Sequence, residues 1–213
     1  MSYGPSTRTV ADVMRAVKRT FGDESGVQLE DADVFMWVND AQDEIVRRNN
    51  VLKATSTSLS VIGQKDYSYP SDLILKVESI HYDGQRLENV SFAQAEESII
   101  RNSNLQTPGT PEFWYEWAGQ FSFLPIPDTA LSITMYYTKK PARVSGVNDL
   151  LSVPDKYYQN VVSFVLQQAY EMDEDWQASQ VKQQQFDLSL NDMGEEERTA
   201  QHMTYQTITV IES

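Results

Sequence analysis

Residues 111–141 decide the fold, and they read PEFWYEWAGQFSFLPIPDTALSITMYYTKKP. Apolar and polar residues alternate through the last part of this stretch, where the apolar ones are Leu131, Ile133, Met135 and Tyr137. That period of two is typical of a strand with one buried face. Two earlier segments alternate in the same way, and an Ala118-Gly119 turn joins them. Pro125 and Pro127 end the second strand, because proline cannot donate to a β-ladder. The stretch therefore predicts a β-meander of three strands.

Helical patterns lie on both sides of the meander. Before it, apolar residues recur at helical spacing, first at Val10, Val13, Met14 and Val17 and then at Val34, Val38, Ala41, Ile45 and Leu52. After it, two further stripes are formed by Tyr158, Val161, Val162, Val165 and Ala169 and by Trp176, Val181, Phe186, Leu190 and Met193. Gly22 and Gly194 mark the ends of the first and fourth helices, and Asp31 is placed to cap the second. We expect the four stripes to pack together as a bundle.

The segment between the second helix and the meander has mainly strand patterns. A strand begins at Lys53, a short edge segment closed by proline follows, and residues 71–74 have the pattern of one helical turn. Residues 76–82 form a further strand, Asp83-Gly84 is a hairpin turn, and residues 92–100 are again helical. The predicted fold class is therefore α+β. It combines a four-helix bundle formed by the N- and C-terminal helices, an inserted antiparallel β domain and an extended C-terminal tail. The expected domains are 1–52, 53–141, 142–194 and 195–213.

Composition excludes several classes of protein. The chain has 213 residues, of which 40% are hydrophobic and 11% aromatic, enough to bury a core. Its net charge of −14 argues against direct capture of nucleic acid, although an acidic wall that DNA slides past is compatible with it. There is no cysteine for a disulfide or a thiolate site. We find neither a membrane span nor a secretory signal, and we expect synthesis in the cytoplasm.

The residues at 195–213, EEERTAQHMTYQTITVIES, pass from an acidic run into a segment of strong β-propensity. A disordered tail normally has few aromatic and β-branched residues, and such residues left exposed would favour aggregation. The sequence therefore predicts that this segment docks on a partner, through the side chains of Tyr205, Thr207, Ile208, Val210 and Ile211.

Catalysis and metal binding receive little support. The two histidines, His81 and His202, have no serine or acid beside them in a catalytic arrangement. Carboxylates cluster at Asp31 and Asp33 and again at 173–175, where oxygen ligands could attract calcium or magnesium. Both clusters lie at predicted helix starts, so capping explains them better. We expect no enzymatic activity, no cofactor and no metal.

The aromatic residues of the meander leave two alternatives open. Alternation places Phe113, Tyr115 and Trp117 on one face, which we interpret as core, and Trp114 on the other. Trp114 is therefore the predicted surface residue, either between subunits or facing a partner. The alternative is a ligand-binding module whose aromatic β face recognises a sugar or a peptide.

The order of these elements resembles the head-to-tail adaptor proteins of tailed bacteriophages, which include tail tubular and head-completion proteins. Six segments carry the resemblance, in the order VFMWVNDAQDEIVRR, GQKDYSYPSDLI, SIHYDGQRL, PEFWYEW with FSFLPIPD, ITMYYTKKPA and VPDKYYQNVVSFVLQQAYE. Together they lie within residues 34–193. Each segment is ordinary turn, strand or helix chemistry, so their order and spacing carry the recognition.

The resemblance implies a structural protein of the virion, at the head-tail junction, without enzymatic activity. It implies a ring, dodecameric in known members, that binds the portal above and the tail nozzle or tube below. Double-stranded DNA would pass through the ring without specific binding. The tail at 205–211 would then dock on the portal or a neighbouring subunit, and Trp114, Asp83 and Gly84 would face a neighbour or the tail.

Overall fold

The computed structural model describes residues 6–23, 26, 28–70, 74–102, 105 and 107–209, and of these the side chains of 74, 98–100 and 197–209 are left undescribed. The chain divides into two compact units. Residues up to Leu52 and from Pro141 onward form a helical unit, and Lys53–Lys140 form a β unit. The α+β class is confirmed.

The described residues form five α-helices and eight strands. The helices are α1 (Val10–Phe21), α2 (Asp31–Asn49), α3 (Phe92–Arg101), α4 (Tyr158–Met172) and α5 (Trp176–Thr209). The strands are β1 (Lys53–Leu59), β2 (Asp66–Ser68), β3 (Ile74–Tyr82), β4 (Gln85–Arg86), β5 (Glu88–Asn89), β6 (Phe113–Trp117), β7 (Gln120–Leu124) and β8 (Ser132–Lys139). The predicted helical turn at 71–74 falls mostly outside the described residues, and Ile74 begins β3.

The ends of the first two helices follow local chemistry. Thr9 and Asp12 form a reciprocal capping box at the start of α1, and Gly22 ends that helix in the left-handed region with φ 91°. The predicted cap of α2 is wrong. Asp31 is already helical, and the preceding Glu30 makes no capping bond with its side chain. The Asp31 carboxylate instead accepts a hydrogen bond from Lys18 at 3.1 Å.

The helical unit has one core, to which α1, α2, α4 and α5 all contribute. Helix α4 lies at its centre, because it contacts each of the other three helices. Its buried side chains are Asn160, Val161, Val162, Val165, Leu166, Gln167 and Ala169. At the start of α5, the Asp175 carboxylate accepts from the Ala178 N–H at 3.1 Å, so the predicted capping role of the 173–175 cluster is confirmed.

Gly194 does not end the fourth predicted helix. The prediction of an extended C-terminal tail is therefore wrong for the residues up to Thr209, which are helical. Helix α5 continues without a break for 34 residues, from Trp176 to Thr209. A Cβ atom at position 194 would lie 3.1 Å from Oδ1 of Asn49, and the Asn49 amide donates to the Leu190 carbonyl at 3.0 Å. The glycine therefore permits close packing inside a helix. Val210 and Ile211 lie outside the described residues.

A paired hydrogen bond fastens the segment that follows the β unit to helix α2. The Asn39 side chain donates to the Val144 carbonyl at 3.0 Å and accepts from the Val144 N–H at 2.9 Å. Farther along, the Gln42 side chain accepts from the Ser152 N–H at 2.6 Å. Both side chains bond half-buried backbone groups that have no partner in a sheet or a helix.

Asp155 anchors the chain that leads into α1. Its carboxylate accepts from the Ser6 hydroxyl at 2.7 Å, from the Thr7 N–H at 2.9 Å and from the Thr7 hydroxyl. These bonds, from Thr7 first and then Ser6, lower the pKa of Asp155 to about 2. The charged form is therefore favoured in the folded chain.

The hydrogen bonds from Ser6 and Thr7 to the Asp155 carboxylate make part of the stability dependent on pH. A carboxyl whose pKa is lowered by folding stabilises the fold above about pH 4 and loses that contribution as the pH falls towards 2. We expect Asp155→Asn to lower the melting temperature at pH 7, and the difference from the unaltered chain to shrink between pH 4 and pH 2. Thermal unfolding followed by circular dichroism measures both. Asp192→Asn, at an exposed site on α5, controls for the loss of charge. If the melting temperatures of Asp155→Asn and the unaltered chain differed by the same amount at every pH, the role assigned to Asp155 would be wrong.

The β unit contains two four-stranded sheets, and the predicted meander divides between them. The first sheet has the order β1-β8-β3-β4 and the second the order β2-β7-β6-β5. Strands β6 and β7 form the expected antiparallel hairpin, but β8 pairs with β1 and β3 instead of β7. The expectation of a three-stranded meander is therefore wrong. Lys53 pairs with Thr138, so the chain enters and leaves the β unit side by side.

Two cores explain how the second sheet is buried. One lies between the sheets and includes Tyr82, Trp114, Phe123, Ile133 and Met135. The other lies on the opposite face of the second sheet, where Tyr115 and Leu124 pack with Ala95 of α3. The β unit is also not purely antiparallel, because β5 pairs with β6 in parallel. A two-residue strand carried no pattern from which this pairing could be predicted.

Candidate interaction surfaces

Three apolar side chains protrude where β1 ends and the next loop begins. Leu59, Val61 and Ile62 are 71%, 53% and 63% exposed, and we term them the apolar tip. Loops normally present polar residues to water, so adjacent exposed Val and Ile side chains indicate a binding surface. This surface was not predicted from the sequence, although Val61 and Ile62 immediately before the Gly63 turn were a usable signal.

The loop that carries the apolar tip is held from below. The hydroxyl of buried Tyr67 accepts from the Val61 N–H at 3.1 Å and can donate to the carbonyl of Val61 or Gln64. Burial raises the pKa of Tyr67, so this hydroxyl keeps its proton. The Gly63 N–H donates to the Pro127 carbonyl at 2.9 Å. These bonds fix the loop backbone while the apolar side chains point to solvent.

The predicted site residues Asp83 and Gly84 lie at the same end of the first sheet. They form the exposed turn between β3 and β4, with φ of 48° and 80°, as a tight hairpin requires. The Asp83 N–H donates to the Ser132 carbonyl, and Ser132 pairs with Leu59 across β8. The turn and Leu59 are thus two strand spacings apart, about 10 Å. The apolar tip and this turn together form what we term the end surface.

Trp114 is not the surface residue that alternation was taken to indicate. It is 5% exposed and belongs to the core between the sheets, whereas Trp117 is 59% exposed. The Trp117 ring stacks on Phe92 of α3 at 4.4 Å between centroids. The faces were assigned correctly, but both faces are covered, and Trp117 lies at the uncovered end of its strand. Since most of the aromatic side chains are core, a broad aromatic face for a sugar or peptide loses its support.

The structure describes only the backbone of the predicted C-terminal site, and only as far as Thr209. Tyr205, Thr207 and Ile208 lie in the backbone of α5, their side chains are undescribed, and Val210 and Ile211 are outside the described residues. Their docking role remains a prediction.

The histidine and carboxylate candidates have structural surroundings. His81 lies on β3, where its ring meets Tyr136 edge-on at 5.1 Å and its nitrogens lie 3.3 Å from the Ser79 hydroxyl and 3.4 Å from the Gly84 carbonyl. The side chain of His202 is undescribed. Within the described part of the chain, no three His, Asp or Glu side chains are grouped so as to hold a metal ion. No described helix has the length and apolar character needed to cross a bilayer.

A known protein family matches this chain. The model of the SU10 adaptor protein family matches residues 8–209, nearly the whole chain and both of its units. No curated protein matches the chain. The matched span includes all the segments on which the resemblance to head-to-tail adaptors was based. The chain therefore belongs to the SU10 adaptor protein family, whose members are bacteriophage head-to-tail adaptors.

Proposed function

We propose that this protein forms a ring, a dodecamer by analogy with known head-to-tail adaptors, between the portal and the tail nozzle or tube. The observation that carries the proposal is the family match over residues 8–209. In this role the protein is a structural part of the virion and has no enzymatic activity. Its ring lines the channel through which the DNA leaves the head.

The two-unit organisation supports this proposal. An adaptor has to bind different partners at different surfaces, and each unit here has a core of its own. A closed ring uses heterologous contacts, in which one surface of a subunit meets a different surface of the next. Two separately stabilised units can supply such different surfaces without sharing residues between them.

The end surface is the part of the β unit that we assign to docking on the tail. Its apolar tip supplies area that is favourable to bury, and its loop is already ordered by Tyr67 and Gly63. A preordered loop loses little conformational entropy on binding. Asp83 and Gly84 lie beside it and belong to the same contact.

The charge of the chain supports passage of DNA rather than its capture. At −14 per subunit, a ring carries a strongly negative field. Phosphates are repelled by such a wall, so DNA moves along it without being held. A ring structure with a basic inner surface would contradict this assignment.

Mixing the protein with its portal tests the proposed function. Electron microscopy should show one ring bound to the portal, and adding the tail component should extend that ring. The double variant Val61→Asp with Ile62→Asp should still form the ring but lose the tail component, because two carboxylates would have to be desolvated at the contact. Leu188→Asp, at an exposed site on α5, is the matched control. If no ring forms on the portal, the proposed function is wrong. If the double variant still binds the tail component, the end surface is not the docking site, but the proposed ring stands.

A further inference from the structure

Strand β1 leaves one edge of the first sheet open along its whole length. It is the terminal strand, and no backbone group among the described residues bonds to its outer side. The Ser60 N–H donates to the Leu131 carbonyl, which fixes the hydrogen-bonding phase of the antiparallel pair. Even-numbered residues of β1 therefore bond to β8. The backbone groups of Thr55, Thr57 and Leu59 point outward.

This edge lacks the features that usually protect exposed strands. It has no proline, and its single charge, Lys53, is bonded to Glu78 at 2.9 Å. The other described terminal strands, β2, β4 and β5, are two or three residues long. A seven-residue open edge is a template for an added strand from another chain.

A cavity lies beside the open edge, on the inner face of β1. It has a volume of about 140 Å³ and is lined by Ser56 and Ser58 together with Phe121, Ile133 and Met135. Serine occupies positions where a larger apolar side chain would close the space between the sheets. A strand added to β1 would place every second side chain on this inner face. The cavity can therefore accept one aliphatic side chain from the added strand, in uncharged surroundings.

We propose that residues 205–211 of one copy of this chain add as a strand to the open edge of β1 in a neighbouring copy. The segment YQTITVI has seven residues, as β1 does, and carries no charge. In a strand, Ile208 and Val210 lie on the same face, so either can enter the cavity. The proposal rests on the ring proposed above, which brings the copies together.

The described part of this segment is helical, and the same residues explain why it can change partner. Thr207, Ile208 and Thr209 are β-branched, and such residues are weak helix formers and strong strand formers. The last fully buried side chain described on α5 is Leu190, nineteen residues before the helix ends at Thr209. Unwinding residues 205–209 therefore removes none of the described core side chains.

A labelled peptide of residues 203–213 tests the proposal directly. The acceptor is the full chain with Ile208→Asp and Val210→Asp, which disables its own segment. Fluorescence anisotropy should show saturable binding. The peptide carrying both Ile208→Asp and Val210→Asp should bind at least about tenfold more weakly, since a carboxylate would lose its hydration in a cavity whose lining offers no cation. Absence of binding up to millimolar acceptor overturns the proposal.

Variants of the acceptor locate the binding edge. Thr57→Pro removes an outward N–H without touching the bonds to β8, and should weaken binding about tenfold or more. Thr57→Val keeps that N–H and should bind within about twofold of the parent. Ser56→Leu fills the cavity and should also weaken binding; it decides the question if circular dichroism shows that the proline variant is unfolded. Equal affinity for all three overturns the proposal, whereas a ring that still forms on the portal leaves the proposed function standing.

Discussion

Trp114→Ala should destabilise the β unit by about 3–5 kcal/mol, the range for removing a large aromatic side chain from a core. Trp114 is 5% exposed and packs between the two sheets, opposite Phe123 on β7. The surrounding strands are each hydrogen-bonded within their own sheet, which limits their collapse into the space left behind. Urea unfolding followed by circular dichroism should show a clear fall in the midpoint for the β unit.

Trp117→Ala is the matched control for this change. Trp117 lies on the same strand but is 59% exposed, and its main described contact is the stack on Phe92. Its loss should cost about 0.5–1.5 kcal/mol, the usual worth of an aromatic pair. If the two variants were equally destabilised, or if Trp117→Ala were the worse, the assignment of the core between the sheets would be wrong.

Asn39→Asp should destabilise the helical unit by about 2–3 kcal/mol at neutral pH, since both Val144 backbone groups depend on this side chain. Val144 is buried and its bonds to Asn39 are half-buried, so water compensates for the lost donor only in part. A carboxylate keeps the bond from the Val144 N–H but faces the carbonyl as a second acceptor. Acceptor against acceptor is repulsive at the observed 3.0 Å.

The same variant has a test built into its chemistry. A protonated carboxyl regains one donor, so acid should restore part of the lost stability relative to the unaltered chain at the same pH. Thermal unfolding of both chains between pH 7 and pH 3 measures this. Asp40→Asn, at the exposed neighbouring position, controls for a change of charge on α2. If the free energy of unfolding of Asn39→Asp lay within about 0.5 kcal/mol of the unaltered chain at pH 7, the two hydrogen bonds between Asn39 and Val144 would be dispensable.

Local patterns predicted elements better than they predicted neighbours. The alternation around Ile133 and Met135 correctly placed β8 as a strand with one buried face. The same alternation holds whichever strand lies beside it, so nothing local could show that β8 joins β1 and β3. The end of helix α1 at Gly22 was predicted correctly because a glycine acts on its own neighbours, and the Thr9 cap at its start is a local signal of the same kind that the prediction left out.

The wrong predictions share a physical cause. In each case a contact with a residue distant in sequence gave the side chain a surrounding that its local pattern does not indicate. Gly194 has the chemistry of a helix end, but it lies within α5, where Asn49 packs so closely that a Cβ atom would lie 3.1 Å from its Oδ1. Trp114 faces opposite Tyr115, as predicted, but α3 and the first sheet bury both. Of the candidate site, the Asp83-Gly84 turn was predictable from sequence, whereas its proximity to Leu59 depends on the register across β8.

The pairing of Lys53 with Thr138 has a consequence for how such a protein can change over time. The β unit is joined to the rest of the chain by two segments that start from neighbouring positions of one antiparallel pair, with Cα atoms about 5 Å apart. A domain whose ends are that close behaves as a cassette inserted into a host fold. Replacing Lys53–Lys140 by a short loop should leave the host able to fold, so the part we assign to tail docking can be exchanged between phages while the helical unit is kept.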